Sequence, residues 1–104
     1  MSDIADVSLD GLRPWVKSSF RVSTNGLSCE LELAEAVPLS GHRVGVGEKF
    51  SLLFRGTSAV PLTQRMYRFE HPEAGQFDLF IVPVACHERG VRHYEAIINR
   101  DVPA

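Results

Sequence analysis

The spacing of hydrophobic residues changes once along the chain, from helical to alternating. Near the start, Leu9, Leu12 and Trp15 recur at helical intervals behind Ser8, a residue suited to capping a helix N-terminus. They predict a short helix over residues 8–15. Pro14 limits its extension, because proline lacks the amide hydrogen a continuing helix needs. From Phe20 onward the period is two. Phe20 and Val22 alternate with Arg21 and Ser23, Asn25-Gly26 supplies a tight-turn dipeptide, and Cys29, Leu31 and Leu33 then alternate with Glu30 and Glu32. Two alternating runs around Asn-Gly predict an antiparallel hairpin with one dry and one wet face. The wet face carries Arg21 together with Glu30 or Glu32.

Residues 37–47 contain Pro38, Gly41, Gly45 and Gly47, and read as a loop. Alternation resumes over 48–55, with Phe50, Leu52 and Phe54 inward, Lys49, Ser51 and Arg55 outward, and Leu53 apolar at an outward position. A connection over 56–63 carries Gly56 and Pro61. A strand over 65–70 points Tyr67 and Phe69 inward, and the segment from His71 to Gly75 turns the chain. Residues 76–85 are the most apolar. There Phe77 and Leu79 take one parity while Phe80, Val82 and Val84 take the other, which implies cover on both faces or a bulge near Phe80. Pro83 places the far end of this strand at an edge or a bulge. Residues 87–90 read as a hairpin loop with Gly90 left-handed, and the last strand, 91–99, turns Tyr94, Ala96 and Ile98 to one side.

Six strands and one helix predict an all-β fold, either a small antiparallel barrel or a two-sheet sandwich. The expected organisation is a flexible N-terminus over 1–7, one β domain over 8–100 and a short tail over 101–104. A chain of 104 residues holds one core and leaves no room for a second. Eleven basic against 13 acidic residues give a net charge of −2, which argues against nucleic-acid and polybasic membrane binding. No apolar run approaches the roughly 20 residues of a membrane span, and no basic start followed by an apolar stretch marks a signal peptide. The expectation is a cytoplasmic protein in which Cys29 and Cys86 stay free thiols.

Candidate chemistry is sparse. Cys86, His87, Glu88 and His93 are residue types that bind zinc, and a hairpin would bring positions 86 and 93 together. Adjacent strand residues face opposite ways, however, so Cys86 and His87 do not converge on one ion without a bulge. No GxSxG elbow is present, and His42 and His71 lie in turn segments with no nucleophile set beside them. Glu30 and Glu32 share a solvated face, where no paired-carboxylate chemistry is expected. The glycine-rich stretch 41–47 lacks a phosphate-binding lysine. These absences predict a protein without catalytic residues, metal or cofactor.

The apolar residues left over at outward or ambiguous positions are Leu53, Met66, Phe80, Val82 and Ile97. With Arg55 and Arg68 among them, they have the composition of an interface core, so these seven form the candidate interaction surface for a protein partner or a second copy. A larger core made by sheet-on-sheet packing explains the same residues. A second functional reading is a small-molecule-binding barrel, with Phe50, Phe54, Tyr67, Phe69, Phe77 and Tyr94 lining a cavity.

Four segments occur in order: Phe50-Ser-Leu-Leu-Phe-Arg-Gly56, Tyr67-Arg-Phe-Glu-His-Pro72, Phe77-Asp-Leu-Phe-Ile-Val-Pro-Val84 and Tyr94-Glu-Ala-Ile-Ile-Asn-Arg100. As a set, spanning about residues 18–100, they resemble a family of small bacterial proteins catalogued as a domain of unknown function. The resemblance implies a single compact β domain, with an association to accessory proteins of phage-tail-like assemblies. It transfers no activity, cofactor or site residue.

Overall fold

A computed structural model describes residues 8–24, 26–43, 46–57, 59 and 61–101. The expected flexible start over 1–7, Asn25 of the hairpin turn, Val44 and Gly45 of the glycine-rich stretch, and tail residues 102–104 lie outside the described residues. Ser8 caps helix α1 (Leu9–Leu12), its side chain accepting the Gly11 amide hydrogen, and one turn of 3-10 helix, Arg13–Trp15, continues it. Pro14 falls in this tighter turn, where its missing donor costs nothing.

Six strands follow: β1 (Ser19–Thr24), β2 (Leu27–Pro38), β3 (Gly47–Thr57), β4 (Arg65–His71), β5 (Gly75–Val84) and β6 (Val91–Asp101). They close into an antiparallel barrel in the order β1-β2-β3-β6-β5-β4. The barrel, rather than the sandwich, is the architecture. Thr24 pairs with Leu27 across a two-residue connection, as the hairpin reading requires. Strand β2 runs further than its alternation suggests. Residues 35–38 pair with β3 after a register shift between Leu33 and Glu35, so Val37 and Pro38 belong to the strand and not to the expected loop over 37–47. The bulge resets which side chains face inward, so the sequence loses its period there while the backbone ladder continues.

Closure buries Phe20, Leu33, Phe50, Leu52, Phe69, Leu79, Ile81 and Tyr94 almost completely. Phe54 lies 4.7 Å from Phe69 and 6.0 Å from Phe20, and Phe77 stacks on Phe69 at 6.0 Å between centroids. These four aromatic side chains meet inside the barrel, as expected where a small barrel is packed by side chains.

Each barrel end carries its own plug. Leu9 and Leu12 of α1 are buried at the end where β3 begins and β6 finishes, and the Leu9 amide donates to Glu48 Oε1 at 3.2 Å. At the opposite end, the connection from β3 to β4 must cross between strands that are not neighbours. It buries Leu62, whose amide donates to the Tyr94 hydroxyl at 2.9 Å, while the Tyr67 hydroxyl bonds Thr63 through both amide and carbonyl.

Candidate interaction surface

Alternation within a closed barrel leaves every second residue of each strand on the outer wall. On β5 the pairing with β4 is continuous from Arg65–Ile81 to His71–Gly75, with no bulge at Phe80. Phe77, Leu79 and Ile81 face the core, and Phe80 and Val82 face outward. Neither expected explanation of the mixed parity applies: among the described residues nothing covers the second face, and the register with β4 does not shift. The outer face of β5 is itself apolar.

Its neighbours extend it. Met66 of β4 pairs with Phe80, and Val82 pairs with Glu95 of β6, which in turn pairs with Leu53 of β3. Ile97 is the next outward residue of β6. Met66, Phe80 and Ile97 remain 53%, 47% and 55% exposed, unusually open for large apolar side chains on three strands of one wall. Five of the seven residues singled out from the sequence therefore share this wall.

The two arginines stand at its margins in ion pairs. Arg68 Nε meets Asp78 Oδ1 at 2.9 Å, two residues along the ladder from the Met66–Phe80 pair. One Arg55 nitrogen lies 2.6 Å from both oxygens of Glu88, and this hydrogen bond, followed by the carboxylate's charge, raises the guanidinium pKa further. Arg65 instead places its guanidinium 5.9 Å from the centroid of Tyr67. Among the described residues, no ion pair joins Glu95, which lies between Val82 and Leu53.

The remaining chemical candidates do not converge. Arg21 pairs directly with Glu30 and, on its other side, with Glu70, so it belongs to a solvated ladder of charges. Cys86 and His93 line one surface concavity of about 300 Å³ with Arg92, while His87 is exposed outside it. Among the described residues, no group of three or more metal-binding side chains assembles. Cys29 and Cys86 are both free. His42 Nδ1 accepts the Lys49 amide hydrogen and its ring edge meets Phe50.

One serine–histidine contact invites comparison with a nucleophile and its base: Ser18 Oγ lies 2.8 Å from His71 Nε2. The other ring nitrogen decides the matter. His71 Nδ1 accepts amide hydrogens from Glu73 and Ala74, each at 3.1 Å, so the ring proton sits on Nε2 and points at the serine. A general base needs the opposite tautomer, with Nε2 free to receive the hydroxyl proton. Sequence reasoning missed this pair because its members are 53 residues apart.

The chain belongs to the DUF6916 family, a domain of unknown function. The match covers residues 7–98, which spans the helical plug and all six strands almost to the end of β6. No curated protein and no solved structure matches the chain. This DUF6916 domain is therefore a plugged six-stranded barrel, and none of its described helices is long and apolar enough to cross a membrane.

Proposed function

We propose that this domain is a noncatalytic protein-interaction or assembly module. Its contact surface is the outer wall of β3 to β6, centred on Phe80 and Ile97. The observation that carries the reading is the exposure of Met66, Phe80 and Ile97 on three strands of one wall. Closure of the barrel favours docking on the wall, because edge pairing needs an unpaired strand. Glu95 at the centre, joined by no ion pair among the described residues, favours a partner that sets a basic group among apolar ones, and a second copy of the chain remains within this reading. We place the module in the cytoplasm, where free Cys29 and Cys86 stay reduced, and, on the strength of the family resemblance, as an accessory to a phage-tail-like assembly.

Covering three half-exposed apolar side chains contributes about 1 kcal/mol each. The test is size-exclusion chromatography with light scattering, joined to affinity capture from the native cell. Replacing Phe80 and Ile97 together by Thr keeps strand-compatible residues and is expected to weaken the association at least about tenfold. A monomer at every concentration, with the same captured proteins for the native chain and the variant, overturns the reading.

A further inference from the structure

The β4–β5 turn is fastened to the chain leaving the helical plug by a single imidazole. His71 opens the turn, and its Nδ1 collects the Glu73 and Ala74 amide hydrogens. Its Nε2 reaches across to Ser18, which follows the 3-10 turn. The ring is also held between two aromatic side chains, with centroids 4.9 Å from Trp15 and 4.8 Å from Phe20. The two turn bonds depend on one protonation state, whereas the Nε2 hydrogen facing Ser18 is present in the neutral and the charged ring alike. Two amide donors converge on Nδ1, and a proton placed there opposes both at once.

We propose that His71 is a proton-operated latch: neutral, it ties the Trp15–Ser18 segment and the β4–β5 turn together, and protonated, it releases the turn amides. This proposal does not rest on the interaction reading. The bonded form is the neutral one, so the latch is closed on the alkaline side and opens as pH falls.

The charged groups around the ring come from several elements. Arg21 of β1, Glu30 of β2 and Glu70 of β4 share with it an outer concavity of about 650 Å³, to which β5 contributes the uncharged Gln76. Glu73 lies within the turn, and Lys17 precedes Ser18. The device uses none of the contacts that seat the plug, where Leu9 and Leu12 are buried and Glu48 holds the Leu9 amide. What opens is the β4–β5 turn, while the ring keeps its bond to Ser18.

The experiment follows the backbone amides of the whole 15N-labelled chain by NMR from about pH 8 to about pH 5, the range in which histidine ordinarily changes charge. The expected result is that the Glu73 and Ala74 amide signals and the Trp15 indole move together with the His71 ring nitrogens. Protection of the two amides from exchange should fall about tenfold. Amide signals carry the test because a charged imidazole quenches a neighbouring indole without any movement. His71→Asn offers the turn an acceptor that cannot be protonated, and is expected to abolish the transition. Ser18→Ala leaves both amides on Nδ1 and should keep it. Turn amides that stay protected while the ring titrates overturn the latch, as does a transition that survives in His71→Asn or vanishes in Ser18→Ala.

Discussion

Cys29 shows how one residue's surroundings set its chemistry. It sits opposite Val22 in the β1–β2 ladder and packs against the core, and burial raises its thiol pKa, with the neighbouring Glu30 carboxylate adding to the effect. Both influences disfavour the thiolate, the form that reacts with electrophiles. Alkylation of Cys29 near neutral pH is therefore expected to be slower than in the urea-unfolded chain, as peptide mass mapping over time would show. The folded pKa is raised above the unfolded one, so this site's contribution to stability is full below the unfolded thiol pKa and is lost as pH rises through the folded one. Equal rates in the folded and unfolded chains would contradict this. Half of the residue-scale picture was readable beforehand. Cys29 shares parity with Leu31 and Leu33, and Glu48 shares parity with Phe50, Leu52 and Phe54, yet nothing local distinguishes Glu48 as a buried carboxylate from an exposed strand start. The distinction comes from partners at positions 9 and 100.

Glu48 also explains how the first element is joined to the rest. A single helical turn has almost no stability of its own, since nucleation costs more than one turn of hydrogen bonds returns. Helix α1 persists because Leu9 and Leu12 are buried and Glu48 receives the Leu9 amide on one oxygen and Arg100 on the other, each at 3.2 Å. Glu48→Ala removes both bonds and is expected to cost about 1–3 kcal/mol in urea unfolding. It should also accelerate exchange at the Leu9 amide most of all. Glu48→Gln keeps an acceptor for Leu9 and should spare that amide while still weakening the Arg100 contact. A Glu48→Ala chain with native stability and an unchanged Leu9 amide would remove the clamp from this account. Element boundaries followed the same division. The two-residue period located all six strands, because burial on one side of a sheet imposes it. It failed at residues 35–38, where a bulge breaks the period but keeps the pairing.

At the scale of the molecule, inside and outside are set by closure of the sheet, and this gives a contrast to measure. Leu52 is fully buried, so Leu52→Ala is expected to cost about 2–5 kcal/mol through lost burial and a residual cavity. Phe80→Thr on the outer wall changes stability by less than about 1 kcal/mol, although it removes the larger side chain. Paired denaturation curves of the two variants check this directly. A large loss from Phe80→Thr in the monomer would mean that Phe80 serves the core, which is the larger-core explanation of the surplus apolar residues. The same contrast bears on the aromatic residues first weighed as a cavity lining. Phe54, Phe69 and Phe77 meet one another inside the barrel, and Phe50, Tyr67 and Tyr94 are buried with them.

The sequence by itself determined the class of structure: short alternating strands, tight turns and a capped helical turn, all consequences of local geometry and of hiding apolar side chains every second residue. It also marked the residues of odd parity on β5 and around it. Only the tertiary structure decided that the sheet closes in the order β1-β2-β3-β6-β5-β4, because which strands become neighbours depends on contacts far apart in the chain. That closure brought Met66, Phe80, Val82, Leu53 and Ile97 to one wall. It also set Ser18 against His71 and Glu48 beneath Leu9, pairings that no spacing rule encodes.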